Sequence, residues 1–210
     1  MSKRPIRLTA SEIATVNFYD EIALRSIGVK SEKGFWSGQM DQFQGYLGKG
    51  RILDVGCGAG RDVGALVQRG FDCVGVDPSE GMLLHARVNY PSCDFRCMHM
   101  YDLHDFPDGI FDGFWSSASI HHIQKSRVDA ALSEIRRVTS PGGIGFVAVR
   151  EGDGELRGSR VPDCRLRYFA LYRRDELASK MASNGFEILG GDSKSRGDFV
   201  SYLYLFVRKI

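Results

Sequence analysis

A doubly wound α/β fold, with a parallel sheet covered by helices on both faces, is what the order of segments in this chain predicts. Three observations carry that expectation. From residue 51 onward, short apolar runs of strand length alternate with amphipathic stretches of helical length. The first such run, Ile52-Leu53-Asp54-Val55, breaks into the glycine-rich turn Gly56-Cys57-Gly58-Ala59-Gly60 before Arg61-Asp62 opens a helix. The last two apolar runs, Phe186-Glu187-Ile188-Leu189 and Val200 to Val207, have no helix between them, so they pair antiparallel.

The elements follow in order. Ser11 can cap a helix from Glu12 to about Ser26, because Ile13, Val16, Tyr19, Ile22 and Ala23 recur at helical spacing. A second helix is expected over Trp36 to Leu47, ending at Gly48-Lys49-Gly50. The core then reads strand 51–55, helix 61–69, strand 72–76, helix 80–89, strand 94–98, strand 111–116, helix 127–138, strand 144–149 and helix 174–184, before the final pair of strands. Seven strands result, and right-handed crossovers place the intervening helices on both faces. The chain is expected to be one domain over residues 1–210, with 1–48 as a helical cap and the Gly- and Arg-rich segment 150–172 as a loop over the site.

Composition narrows the class. Twenty-eight basic against 26 acidic residues leave a net charge of +2, too little for a broad field that binds nucleic acid without specificity. No apolar stretch reaches the 18 or so residues of a membrane span, and no apolar region follows the basic N-terminus as in a secretory signal. The five cysteines include no C-x-x-C pair, and no Cys or His pair stands at zinc-finger spacing. Reduced thiols in a cytoplasmic protein, with no metal site and no membrane partner, are therefore expected.

The glycine turn lets a ligand approach the backbone, and Asp77, seventeen residues after Gly60, ends the second strand. A carboxylate there can accept hydrogen bonds from both hydroxyls of a ribose, which points to an adenosine-bearing cofactor. A dinucleotide site needs G-x-G-x-x-G, yet Arg61 stands where its last glycine belongs, so a nicotinamide dehydrogenase is disfavoured.

Asp54 followed by G-x-G-x-G resembles the first motif of class I S-adenosylmethionine-dependent methyltransferases. The antiparallel last strand is a second point of likeness to that Rossmann-like, seven-stranded family. The resemblance covers most of residues 50–207. It implies that Asp54, Gly56, Cys57, Gly58, Gly60 and Arg61 border the methionine part of S-adenosylmethionine, whose product is S-adenosylhomocysteine. It also implies that Asp77 holds the ribose, with Pro78 and Met82 beneath the adenine; Ser79 doubles as a helix cap, and Met82 equally suits a core position. Asp102 and Leu103 fall where the family sets a polar residue and a backbone amide against the adenine. Ser117 and Ala118, ahead of His121 and His122, are similar to the segment that ends the family's fourth strand and faces the ligand crevice. Tyr19 sits where relatives place an aromatic over the cofactor.

His121, His122 and Glu151 are the candidate bases, with a structural role for His122 weighed beside the catalytic one. Arg150, Arg167, Tyr168 and Tyr172 resemble a bacterial subgroup's acceptor-side residues. Seven arginines between Arg150 and Arg174 would suit an anionic acceptor, although a solvated loop face explains them too. The implied reaction is methyl transfer to an O, N or C nucleophile of a small molecule. The alternatives are methylation of tRNA or another RNA through Arg157, Arg160, Arg165 and Arg167, and a non-catalytic domain that only binds the adenosyl cofactor.

Overall fold

The computed structural model describes residues 7–25, 34–157 and 167–210, of which Leu24, Arg25 and Arg157 are described in their backbone alone. Seven strands form one sheet: β1 (Arg51–Val55), β2 (Asp72–Asp77), β3 (Asp94–Cys97), β4 (Phe111–Ser117), β5 (Thr139–Arg150), β8 (Phe186–Arg196) and β9 (Val200–Lys209). Their order across the sheet is β3-β2-β1-β4-β5-β9-β8. Strands β1 to β5 pair in parallel, whereas β9 runs antiparallel to both β5 and β8, as the missing crossover helix predicts. Chain order reverses between β1 and β4, and a crevice opens at the carboxyl ends of strands at such a switch.

Six helices are described: α1 (Ala10–Arg25), α2 (Ser37–Leu47), α3 (Arg61–Val67), α4 (Glu80–Asn89), α5 (Val128–Val138) and α6 (Arg174–Ser183). The alternation of side chains along each strand splits the core into two layers. Leu53 and Val55 of β1, with Val147 and Val149 of β5, pack against Leu132 and Ile135 of α5 and Met181 of α6. Ile52, Phe146 and Ala148 face the other way, against Met40 and Phe43 of α2, Leu66 of α3 and Leu83 of α4. This is the doubly wound arrangement the sequence leads one to expect. Trp115 stacks on Phe146 at 3.8 Å between ring centres and closes the second layer under the glycine loop.

Four elements differ from expectation, the first being β8, which runs on to Arg196 through the polar stretch expected to connect the last two strands. Helix α1 is capped by Thr9 rather than Ser11. The Thr9 hydroxyl accepts the Glu12 amide at 3.3 Å while the Glu12 carboxylate accepts the Thr9 amide at 2.7 Å, a reciprocal pair that a Ser11 cap cannot make; the expected end at Ser26 lies outside the described residues. Strand β5 starts at Thr139 instead of 144, because Thr139 already pairs with Phe111 before the register breaks across the Pro141-Gly142-Gly143 turn. The segment 150–172 is not simply a loop. Its described part contains an antiparallel ribbon, β6 (Glu155–Arg157) with β7 (Tyr168–Ala170), and a bridge from Glu151 to Tyr172. Of the expected helical cap, α1 walls the crevice described below, whereas α2 packs in the second core layer.

Candidate functional site

A cleft of about 520 Å³ lies at the carboxyl ends of β1, β2 and β4, roofed by α1. Its floor is the glycine turn, which the chain holds from two sides. The amides of Gly56 and Cys57 both donate to the Val76 carbonyl, at 2.8 and 3.0 Å, tying the turn to β2. From β4, the Ser119 hydroxyl donates to the Val55 carbonyl at 2.6 Å and shares a 2.7 Å hydrogen bond with Ser116. Gly56, Gly58 and Gly60 all have φ between 52° and 78°, a conformation that β-carbons oppose.

Two carboxylates mark the ends of this turn. Asp54 is 1% exposed and lines the cleft, and its Oδ2 has no hydrogen-bond partner. Burial, reinforced by neighbouring Asp62 and only partly offset by Arg61, pushes its pKa well above the usual carboxylate range. Asp62 is satisfied by the Trp115 indole at 3.1 Å and by Arg61 at 2.7 Å. Asp77, at the tip of β2, accepts the Gly58 amide on Oδ2 and the Ser79 amide on Oδ1, each at 2.9 Å, which leaves each oxygen with unused acceptor capacity toward the cleft. Burial raises its pKa to about 6, and the two amides only partly offset that.

Helix α1 is pinned across the same edge. Asp20 accepts the Ser79 hydroxyl at 2.6 Å and the Gly81 amide at 3.0 Å, while Ser79 caps α4 through the Met82 amide at 3.1 Å. Tyr19 thereby reaches His122, its hydroxyl 2.8 Å from Nε2, and the other ring nitrogen lies 2.8 Å from the Tyr168 carbonyl. A carbonyl only accepts, so Nδ1 carries the proton and Nε2 accepts from Tyr19. Burial lowers the His122 pKa to about 4, which keeps the ring neutral, and Arg167 donates to the Tyr19 oxygen at 3.1 Å.

The cleft thus gathers Tyr19, Asp54, Gly56, Cys57, Gly58, Arg61, Asp77, Pro78, Met82, Ser117, Ala118 and His122 of the expected residues. Ala118 holds φ at 58° although it is not glycine, with its amide on the Ala148 carbonyl, a strained position at the mouth of β4. The other candidates lie elsewhere. Gly60 packs against Phe95 and Ala86 behind the turn. Asp102 turns its carboxylate to His104 at 2.8 Å, and Leu103 is buried in the first core layer. His121 is 2% exposed, and its Nδ1 accepts the Arg150 amide at 3.1 Å. Glu151 is held against β8 and β9 by Ser193 and Ser201, at 2.9 and 2.7 Å. Tyr168 and Tyr172 are core residues, Arg150 covers Phe169, and Arg167 lies over Phe18 behind Tyr19. Arg160 and Arg165 lie outside the described residues, as does the side chain of Arg157.

Sequence reasoning did not nominate Glu12, Thr15, Val16 and Ile22 of α1, His99 and Met100 after β3, or Arg196 of the β8–β9 hairpin, all of which line the cleft. The helical spacing of Val16, Tyr19 and Ile22 was the available signal for the α1 face. Nothing local distinguished His99 and Met100 from Asp102.

The residues present suit S-adenosylmethionine: a buried carboxylate with an unpartnered oxygen for the ammonium group, and a strand-end acid with acceptor capacity for ribose hydroxyls. The acids also set a pH dependence. Hydroxyl donors bind the charged Asp77 carboxylate, so its titration is expected to make cofactor affinity rise with pH between 5 and 7. About one proton is expected to leave Asp77 on binding below pH 6. The sign for folding is opposite: unliganded native Asp77 holds its proton more tightly than the unfolded chain, so its contribution to stability falls as pH rises through about 6. Calorimetry with S-adenosylhomocysteine in two buffers of different ionisation enthalpy measures the proton release. Affinity that is flat from pH 5 to 7 would contradict the assignment.

Residues 53–147 match the sequence family described as "Methyltransferase domain". An uncharacterized methyltransferase of Synechocystis sp. is 33% identical over 94 residues, 45% of this chain and 44% of the relative. The ubiquinone biosynthesis O-methyltransferase of Agrobacterium fabrum is 26% identical over 153 residues, covering 66% of this chain and 60% of that protein. The chain thus spans about half the length of these curated relatives. Among solved structures, the Burkholderia thailandensis 1,6-didemethyltoxoflavin-N1-methyltransferase, with 1,6-didemethyltoxoflavin and S-adenosylhomocysteine bound, superposes with a TM-score of 0.75. It is 21% identical and the match covers 99% of this chain and 93% of that one, a likeness of fold.

Proposed function

We propose that this chain, whose residues 53–147 form a methyltransferase domain of the class I S-adenosylmethionine-dependent family, transfers the cofactor's methyl group to an O, N or C nucleophile of a small-molecule acceptor. The observation that carries the reading is the pair of cleft carboxylates on either side of one glycine turn, Asp54 with an oxygen that has no hydrogen-bond partner and Asp77 with open acceptor sites. No helix among the described residues is long and apolar enough to cross a membrane, and we place the activity in the cytoplasm.

S-Adenosylmethionine supplies an electrophilic methyl on a sulfonium, and the protein's part is alignment and exclusion of water. In this reading Asp54 orients the ammonium end, the glycine turn lies against the backbone of the methionine part, and Asp77 fixes the ribose. Holding nucleophile and methyl in near-attack alignment can contribute about 7–11 kcal/mol. An acceptor that loses a proton needs a base beside Tyr19. The Tyr19 hydroxyl can take that proton while passing its own to Nε2 of neutral His122, whose new charge the Tyr168 carbonyl stabilises. Tyr19 meets the acceptor and His122 acts through it. His121 and Glu151 do not line the cleft, so this reading assigns neither of them the base.

Titration calorimetry with S-adenosylmethionine, S-adenosylhomocysteine and NADH tests the cofactor. The two adenosyl ligands are expected to bind with micromolar affinity and NADH is not. Methyl-labelled cofactor is then offered to a panel of phenols, carboxylic acids and N-heterocycles, and release of S-adenosylhomocysteine marks the acceptor class. Binding of NADH alone would overturn the proposal. Tight adenosyl binding without methyl loss to any small molecule would favour a domain that only holds the cofactor.

A further inference from the structure

The far end of the cleft raises a separate question: how the purine ring of an adenosyl ligand is told from other bases. With the ribose at Asp77, the N1–C6 edge of the base is the one farthest from the sugar, and His99 and Met100 line the same cleft as Pro78 and Met82, where that edge would lie. Adenine offers two features on that edge, an acceptor at N1 and a donor in its amine.

The carboxylates nearest this wall are turned to protein partners. The Asp102 carboxylate faces His104. Glu12 lines the cleft, but its carboxylate already accepts the Tyr101 hydroxyl at 2.6 Å, the Thr9 amide at 2.7 Å and the Arg127 guanidinium. The thioether of Met100 is a weak acceptor. His99 offers the opposite polarity. Its Nδ1 accepts the Tyr101 backbone amide at 3.3 Å, and the ring lies against the Tyr101 ring, 4.5 Å between centres. The lone pair of Nδ1 is thereby used, so in the neutral ring the proton resides on Nε2, which has no partner among the described residues.

We propose that His99 Nε2–H donates to N1 of the cofactor's adenine, so that this protein reads the base through its ring nitrogen and not through its amine. The proposal rests on the adenosyl-cofactor reading above. Burial, the dominant influence on His99, pushes its pKa down to about 4, so the single-donor tautomer persists at neutral pH. A base that carries hydrogen on N1, such as hypoxanthine, sets donor against donor, and the Tyr101 amide prevents the ring from switching tautomer to accommodate it. Substitution on the amine removes no contact that His99 makes.

The test is calorimetry on the native chain with S-adenosylhomocysteine, S-inosylhomocysteine and S-(N6-methyladenosyl)homocysteine, repeated on His99→Ala and His99→Gln. The inosyl ligand is expected to bind at least roughly tenfold more weakly than the adenosyl one, and the N6-methyl ligand within about threefold of it. His99→Ala is expected to weaken the adenosyl ligand by about tenfold and to bring the adenosyl-to-inosyl ratio near one. His99→Gln, whose amide can both donate and accept, is expected to recover adenosyl binding but not the discrimination. Equal binding of adenosyl and inosyl ligands by the native chain would overturn the proposal, as would a His99→Ala variant that weakens both and leaves their ratio intact. Loss of the N6-methyl ligand with retention of the inosyl one would show that the amine is read instead. If the native chain binds no S-adenosylhomocysteine at all, the cofactor reading itself fails and takes this proposal with it.

Discussion

Replacing Asp77 by Ala is expected to raise the dissociation constant of S-adenosylhomocysteine by about two to four orders of magnitude. Hydrogen bonds to a charged group contribute about 1.5–3 kcal/mol each, and two ribose hydroxyls would lose such a partner together. A second effect adds to the first. Asp77 also receives the amides of Gly58 and Ser79 at 2.9 Å, so its loss frees both the turn that lines the cofactor and the entry to α4. The α4 cap itself should survive, because Ser79 keeps its bonds to Met82 and Asp20. Asp77→Asn is no mild control, since its amide nitrogen would confront one of those two backbone donors. The measurement is calorimetry beside a thermal melt. Weak binding by a variant that melts near the native chain assigns the residue to the ligand, whereas affinity within a few-fold of native would remove the ribose assignment.

Gly56→Ala is expected to cost the fold about 2–5 kcal/mol. The backbone there has φ of 76°, which penalises a β-carbon by roughly 1–2 kcal/mol. The added carbon would also lie 2.2 Å from the Ser119 Cβ, and overpacking of this kind costs roughly 1–3 kcal/mol more. Ser119 cannot retreat without giving up its bond to the Val55 carbonyl. Gly58→Ala is the comparison that isolates the clash: its φ is 52°, but nothing lies within 4 Å of the added carbon, so only the conformational strain applies. For a chain of this size each kcal/mol shifts the melting temperature by about 2–4 °C. The two variants should therefore differ clearly, and a Gly56→Ala protein that melts with Gly58→Ala would show that Ser119 moves aside at little cost.

These two residues also mark what could be read before any coordinates. The strand-turn-helix at 51–62 and the acid at the end of the next strand are local patterns, and local patterns survive folding unchanged. Ile52, Phe146 and Ala148 alternating with Leu53, Val147 and Val149 divide the two core layers because strand periodicity is a property of adjacent residues. The absence of a helix between β8 and β9 likewise dictated their antiparallel pairing. The acceptor side was less legible. The ribbon β6–β7 forms because Glu155 meets Ala170 across the chain, and neither strand carries enough alternation to announce itself.

The sequence by itself determined the layer order, the glycine turn and the carboxylates Asp54 and Asp77, since each depends on spacing within a few residues or on one strand's length. The tertiary structure decided which neighbour of a pair faces the ligand. His121 and His122 are consecutive in one short 3₁₀ turn, yet the first spends its acceptor nitrogen on the Arg150 amide inside the protein and the second meets Tyr19, 103 residues away, at the cleft. Asp102 turns out to His104 while His99 and Met100 turn in. The orientation of such residues is set by partners contributed from α1, β5 and β7, and contacts of that kind exist only once distant segments have been brought together.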